Sequence, residues 1–379
     1  MEPKIRFKGF EGEWKAEELS HICSVNRGVR VTRNDLHNNG VYPVYQNTDY
    51  PMGYYTKFNV ESNNPFVIVG GSAGLIGFCH TNFWAADDCV FFGDNPIINK
   101  SFLYNNLIFH KTEIKRNVRG ASVPRLDRET LRKLPISMPS LLEQQAIASY
   151  FTSLDSQISA STSRLASLKQ MKTASLQAMF PQEGETVPKI RFKGFEGEWK
   201  KVKADSIFKT FNEKNRPDLP VLSATQDRGM VTRESIGYNI FHDTSNEATY
   251  KHILPGQFVI HLRSFQGGFA HSEIEGIASP AYTIMDFKNK DLYHDYYWRY
   301  VFMSKEFIKR LELITYGIRD GRSISYDEFK EMSFLVPSKE EQIKIASYLK
   351  NLDRQISLQS QRLEKLKQIK SACLDKMFV

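Results

Sequence analysis

Two stretches of the chain carry apolar residues at alternating steps of three and four. From Ile147 the series runs through Phe151, Leu154, Ile158, Leu165 and Leu168, and from Ile345 through Leu349, Leu352, Ile356, Leu363 and Leu366. That spacing marks one narrow face of a helix, the stripe of a two-helix seam. Two seam positions are polar in each series, Ser161 and Lys172 in the first, Gln359 and Lys370 in the second. A polar residue in a seam sets register and partner at some cost in stability. Each series opens directly after a proline with Ser140 and Glu143, or Ser338 and Glu341, the S-x-x-E pattern of a helix start. About forty helical residues would make a rod of roughly 60 Å. The simplest partner for each helix is the other one, antiparallel. The rival arrangement leaves each helix on the surface of its own domain.

The helical series are two copies of one unit. "PSLLEQQAIASYF" at 139–151 aligns without a gap on "PSKEEQIKIASYL" at 337–349, and the alignment continues to "AMF" at 178–180 and "KMF" at 376–378. The thirteen letters "PKIRFKGFEGEWK" stand at 3–15 and again at 188–200. Such self-similarity identifies two tandem halves, the second with a net insertion between its anchors. Within the entry segment Ile5, Phe7 and Trp14, and in the second copy Ile190, Phe192 and Trp199, are expected to anchor it on the helices, leaving the interleaved arginines and lysines to solvent.

Between entry and helix the halves diverge but keep a skeleton. "NPFVIVGGSAGLIGF" (64–78) matches "GQFVIHLRSFQGGFA" (256–270), a β-branched and aromatic strand followed by a glycine-rich loop. "FWAADDCVFF" (83–92) and "GIASPAYTIM" (276–285) read as strands. "RLDRETLRKLPISMP" (125–139) and "SISYDEFKEMSFLVP" (323–337) read as a short helix running into a strand. A helix between 292 and 311 is the longest expected inside the second variable region. The fold class that follows is α+β: two strand-rich globular domains in pseudo-twofold arrangement, separated by two long antiparallel coiled-coil helices. The expected boundaries are 1–139 for the first domain with its entry segment, 140–187 for the first helix and linker, 188–337 for the second domain and 338–379 for the second helix.

Composition narrows the function. The 379 residues are 41% hydrophobic and 25% charged, ordinary for a globular protein. No apolar run is long enough to span a bilayer and the N-terminus has no secretory pattern, so a cytoplasmic location is expected. The four cysteines lie scattered, without zinc or disulfide spacing. The net charge of +8 suits a nucleic acid or another acidic partner.

Catalytic patterns are missing. Gly70-Gly71-Ser72-Ala73-Gly74 follows a strand but matches neither phosphate-binding fingerprint, and no lysine follows it. "DNPII" (94–98) and "SPAY" (279–282) each lack half of an amino-methyltransferase motif. Asp87-Asp88 reads as a solvated or capping pair, and no metal site is expected. What the variable regions do hold is donor-rich loops. The candidates are Arg27, Arg30, Arg33, Gln46, Asn47, Ser72, Arg116, Arg119 and Arg125 in the first region. In the second they are Asn215, Arg216, Gln226, Arg228, Arg263, Ser264, Gln266, Tyr282, Arg319 and Arg322. Arginine pairs bidentately with guanine and Asn or Gln with adenine in the major groove, while remaining cations meet phosphates. For any one of these residues a solvated surface position is the commoner outcome; the collective pattern carries the signal.

With both repeats laid out, the chain resembles the specificity subunit of a type I restriction–modification enzyme over its full length. The carriers are the doubled "IRFKGFEGEWK", the doubled "P-S-x-x-E-Q" with its long helix, and the paired strand–loop signatures. The resemblance implies a non-catalytic subunit whose two target-recognition domains each read half of a gapped, asymmetric double-stranded DNA site, with the helices as spacer. It implies two methyltransferase subunits and, in the full complex, two ATP-driven restriction subunits. S-adenosylmethionine, ATP and Mg²⁺ would belong to those partners, directing adenine methylation and cleavage, with no membrane association. A two-headed protein scaffold with a coiled-coil hub is the alternative.

Overall fold

The computed structural model describes residues 2–36, 39–225, 228–236, 244–261, 268–315 and 324–379. Its contacts divide the chain into two units, Met1–Ser163 with Ser360–Val379, and Arg164–Gln359.

The first unit begins with β1 (Lys15–Glu18), α1 (Leu19–Ile22), β2 (Val25–Arg27), β3 (Tyr42–Tyr45), β4 (Gly53–Tyr55), β5 (Asn64–Ile68), β6 (Ile76–Cys79), β7 (Trp84–Ala85) and β8 (Cys89–Phe92). There follow α2 (Lys100–Phe109), α3 (Lys111–Arg116), α4 (Arg128–Arg132), β9 (Pro135–Met138) and the long α5 (Leu141–Ala178), which belongs to this unit as far as Ser163 and to the second from Arg164. An antiparallel sheet of order β2-β8-β5-β6 carries the core, beside a small sheet of order β4-β3-β7 and the antiparallel pair β1–β9. β5 is buried along its whole length, as its continuous run of Asn64-Pro65-Phe66-Val67-Ile68 requires of a central strand. The expected strand at 83–92 is two strands: the Asp87-Asp88 turn sends β7 to one sheet and β8 to the other.

The second unit repeats this order with one strand more, three standing between the first and the central strand of its main sheet where the first unit has two. Its elements are β10 (Lys200–Lys203), α6 (Ala204–Ile207), β11 (Phe208–Phe211), β12 (Leu222–Thr225), β13 (Gly229–Thr232), β14 (Lys251–Ile253), β15 (Phe258–Ile260), β16 (Phe269–His271), β17 (Gly276–Ala278) and β18 (Thr283–Phe287). α7 (Asp295–Met303), α8 (Lys305–Thr315), α9 (Tyr326–Lys330), β19 (Ser333–Val336) and α10 (Lys339–Met377) as far as Gln359 complete it, the rest of α10 belonging to the first unit. The sheet β11-β18-β15-β16 is the counterpart of β2-β8-β5-β6, and β10–β19 that of β1–β9. The helix expected between 292 and 311 breaks at Ser304. Its backbone is extended there and its hydroxyl accepts from the Phe307 N–H at 3.2 Å, starting α8 anew.

Inside each unit one long helix runs against the other. In the first, Ile147, Phe151 and Leu154 are buried in the same core as Met377 and Phe378, with Leu366 packed against it. In the second, Leu168 shares a core with Ile345, Leu349 and Leu352, and Ile356 packs against it. Ile158 and Leu165 are half-buried and Leu363 is buried. The polar seam lysines find carboxylates. Lys370 meets Asp155 at 2.5 Å in the first unit, and Lys172 meets Asp353 at 2.6 Å in the second. Each pair holds the helices in one register, as a polar seam residue does when it has a single available partner.

The entry segments correct the sequence reading. Ile5 and Ile190 are exposed, while the arginines between the supposed anchors are not solvated. Arg6 grips Glu143 with two bonds of 2.7 Å and donates a third to the Gly12 carbonyl at 2.6 Å. Arg191 does the same to Glu341 at 2.8 and 2.7 Å, and to Gly197 at 2.6 Å. The hydrogen bond to Glu143 raises the Arg6 guanidinium above its ordinary range, as that to Glu341 raises Arg191. So the glutamate of each S-x-x-E pattern serves the entry segment, while the serine still caps the helix, Ser140 accepting from the Glu143 N–H at 3.3 Å. The neighbouring Ile5 N–H donates to the Lys376 carbonyl at 3.0 Å, and Ile190 to Ala178 at 3.0 Å. Each entry segment thus clasps the start of one long helix and a free carbonyl at the end of the other. Trp14 and Trp199 are buried, as expected.

Candidate nucleic-acid interface

In the first unit four separate loops converge on the turn between β7 and β8. Gly70 follows β5, and a Cβ there would stand 2.4 Å from the Asp88 carboxylate, so glycine leaves that carboxylate room to lie against the strand end. Gly71 has φ +77°, which brings its N–H to the Pro124 carbonyl at 3.1 Å and the Ser72 N–H to the Asn47 carbonyl at 3.1 Å. Arg119 and Arg125 exchange two backbone bonds of 2.8 Å, and Gly120 between them has φ +94°. The loop after β2 is held alongside by Gly28 and Val29, whose N–H groups donate to Cys89 and Ala85 at 2.9 Å each.

Side chains then gather on the two aspartates. The Arg27 Nε donates to the Asp87 carbonyl at 2.7 Å, the Gln46 amide to the Asp87 carboxylate at 3.3 Å, and Arg125 to Asp88 at 3.4 Å. Donating its N–H to Asp87 leaves the Gln46 amide oxygen as an acceptor. Six sequence candidates (Arg27, Gln46, Asn47, Ser72, Arg119 and Arg125) are therefore brought to one place, and all but half-buried Gln46 are exposed. Arg116 ends α3, whose Lys115 and Ile114 lie against Gly74 of the same glycine loop. Arg30 and Arg33 are exposed further along the loop after β2. Asp87 and Asp88 were read as solvated or capping; they are the organisers of this cluster. The signal available in the sequence was the glycine at 70, whose partner only the fold reveals. Val29 and Tyr50, 57% and 66% exposed, add apolar surface on the loops that carry Arg27 and Gln46.

The second unit uses its candidates differently. Gln226, Arg263, Ser264, Gln266, Arg319 and Arg322 lie outside the described residues. Arg228 is exposed at the β12–β13 turn, its N–H donating to the Thr225 hydroxyl at 3.1 Å. Arg216 is bound to Asp218 at 2.9 Å and faces Glu275 at 3.7 Å, which also holds buried His252 at 2.9 Å. The hydrogen bond to Asp218 raises the guanidinium and lowers that carboxyl. Asn215 takes a left-handed backbone, φ +64°, to turn the chain into this group. Tyr282 accepts on its carbonyl from Lys251 at 2.6 Å. These described residues are not drawn into one cluster like that of the first unit. Among the described residues no group of acidic, histidine and cysteine side chains is arranged to hold a metal ion, and no helix is long and apolar enough to cross a membrane.

Comparison with known proteins agrees with this architecture. The model of the type I restriction modification DNA specificity domain matches residues 11–170 and again 196–368. The MjaVIII specificity subunit, a type I restriction enzyme component of Methanocaldococcus jannaschii, is 22% identical over 393 residues, spanning 96% of this chain and 91% of that one. The EcoDI specificity subunit of Escherichia coli is 22% identical over 210 residues, 55% of this chain and 46% of the relative's own length. Among solved structures, a type I restriction–modification S subunit from M. genitalium has the same fold, with a TM-score of 0.71 at 17% identity, covering 100% of this chain and 99% of that one.

Proposed function

Since the chain belongs to the type I restriction modification DNA specificity family, we propose that it is the sequence-reading subunit of such an enzyme. It reads a gapped, asymmetric site in double-stranded DNA, one half-site per variable region. The observation that carries this reading is the convergence of Arg27, Gln46, Asn47, Ser72, Arg119 and Arg125 on one exposed surface of the first unit. Arginine forks, amides and a hydroxyl are the groups that distinguish base pairs in the major groove, and exposed Val29 offers a surface for a thymine methyl. The second unit, with different loops on the same framework, reads a different half-site.

Catalysis in this proposal lies with partners. Two methyltransferase subunits bring S-adenosylmethionine for adenine methylation, and two restriction subunits bring ATP and Mg²⁺ for cleavage, in the cytoplasm. This chain chooses the site.

Binding of a labelled duplex carrying the host's modification motif tests the reading. Arg119→Ala or Arg125→Ala should cost about 1–3 kcal/mol and relax discrimination at one half-site if the arginine reads a base. A phosphate contact would instead weaken all sequences alike and reduce the salt slope by about 1. A salt-independent affinity, or discrimination lost at both half-sites together, would overturn the proposal and favour a protein scaffold.

A further inference from the structure

The two units share a framework corner that ends differently in each. The Gln144 amide donates to the Ile97 and Pro139 carbonyls at 3.1 Å and accepts from the Asn99 N–H at 2.9 Å. Gln342 makes the same three bonds to Leu292, Pro337 and His294 at 3.1, 3.1 and 2.9 Å. α2 and α7 therefore start at equivalent points, so Ser101 corresponds to Tyr296 and Asn105 to Tyr300. On the long helices Thr152 corresponds to Lys350, and Asp155 to Asp353.

In the second unit this place is filled by the chain itself. The Tyr300 hydroxyl donates to Asp353 Oδ2 at 2.8 Å while Lys172 holds Oδ1 at 2.6 Å. The Lys350 ammonium sits 3.6 Å from the centre of the Tyr296 ring. In the first unit the phenols and the lysine are replaced by Ser101, Asn105 and Thr152. Asp155 keeps only its lysine among the described residues, Lys370 at 2.5 Å on Oδ1. Asn105 donates to the Ser101 carbonyl at 2.7 Å, and its Oδ1, on a side chain 2% exposed, has no hydrogen-bond partner among the described residues. A buried acceptor left unmade is costly. Beside Asn105 and Asp155 lies an open groove of about 680 Å³, lined also by Phe78, His80, Tyr104 and Ser156. The Phe78 ring lies 5.3 Å from Tyr104 and 4.9 Å from His80, an aromatic wall. Burial, and after it the Asp155 charge, raises the Tyr104 phenol, so the carboxylate's field reaches that wall.

We propose that this groove docks a tyrosine side chain, flanked by a basic residue, from a partner polypeptide. The partner supplies in trans the phenol and ammonium that Tyr300 and Lys350 supply within the second unit. The phenol donates to Asp155, the ring lies on the Phe78–Tyr104 wall, and the cation offsets the carboxylate. The inference does not rest on the DNA-reading role.

Tyramine, a phenol carrying an ammonium, is a direct probe for the full-length chain by saturation-transfer NMR and calorimetry. It should bind saturably with one site per chain, and phenethylamine, lacking the hydroxyl, at least about tenfold more weakly, the loss of a hydrogen bond to a charged acceptor. Asn105→Tyr with Thr152→Lys copies the second unit into the first and should abolish binding; Ser156→Trp blocks the groove from its other wall and serves if the double variant fails to fold. Tyr300→Asn with Lys350→Thr should open a second tyramine site. No saturable tyramine binding, or binding unchanged by either block, would overturn the proposal. A photo-crosslinking residue in place of Ser156, expressed in the host, identifies the source. A crosslink to a tyrosine-bearing peptide that the block removes supports docking; no polypeptide crosslink, or one that persists when the groove is blocked, overturns it.

Discussion

The corner where an entry segment meets a long helix is chemically the same in both units, whereas the groove two to three turns further along that helix is open in one and filled in the other. Arg6 with Glu143 and Arg191 with Glu341 repeat distance for distance, and so do Gln144 and Gln342. Yet Thr152, eight residues after Gln144, has Lys350 as its counterpart in the repeat, and Asn105 has Tyr300. The contrast separates two demands on a duplicated chain. A side chain that ties three segments together cannot change without leaving a buried carboxylate or amide unmatched. A side chain that only fills space beside the seam can change, and what it leaves open becomes available to something else.

The largest test of this equivalence lies at the helix ends. Phe378 packs against Trp14, Phe102, Phe109 and Phe151, and Phe180, its counterpart, against Tyr297. Phe378→Ala and Phe180→Ala are each expected to cost about 3–5 kcal/mol in urea denaturation. A cost under about 1 kcal/mol for either would break the symmetry of the two clasps. Arg6→Met and Arg191→Met should lower the melting temperature by similar amounts, with most of the loss recovered when Glu143→Gln or Glu341→Gln is added, because the stranded carboxylate is then removed. Unequal losses would show that only one clasp bears on folding.

Smaller effects sharpen the picture. Lys370→Met and Lys172→Met remove partly exposed pairs and should each cost about 1 kcal/mol or less. The Lys172 variant should cost the more of the two, since Asp353 is 30% exposed against 40% for Asp155 and also serves Tyr300. Least of all, thiol labelling at pH 8 should mark half-buried Cys373 first. Burial pushes the Cys23 thiol up to about 11 and so withholds its thiolate; rapid labelling of Cys23 would mean that the first unit opens locally.

Much of the fold was legible because its signals are periodic. Steps of three and four marked α5 and α10, and β-branched runs marked β5 and β15. The clustering of loop donors was legible only as a composition. Gln46 and Arg125 lie far apart in the chain, and no spacing rule links either to Asp87 or Asp88. Arg6 was misassigned for a related reason: in sequence a lysine-rich segment looks solvated, and its carboxylate partner lies beyond a whole domain. Ser304 broke a helix that propensity alone would continue, since capping by a hydroxyl competes locally with helix extension.

By itself the sequence determined that the chain is a tandem repeat with two long amphipathic helices and two strand-rich regions, because period and duplication are properties of order along a chain. Only the tertiary structure decided which donors share a surface, which arginine holds a buried glutamate, and which groove stays open. Those depend on distances between residues far apart in sequence, set by how the sheets, turns and helices pack.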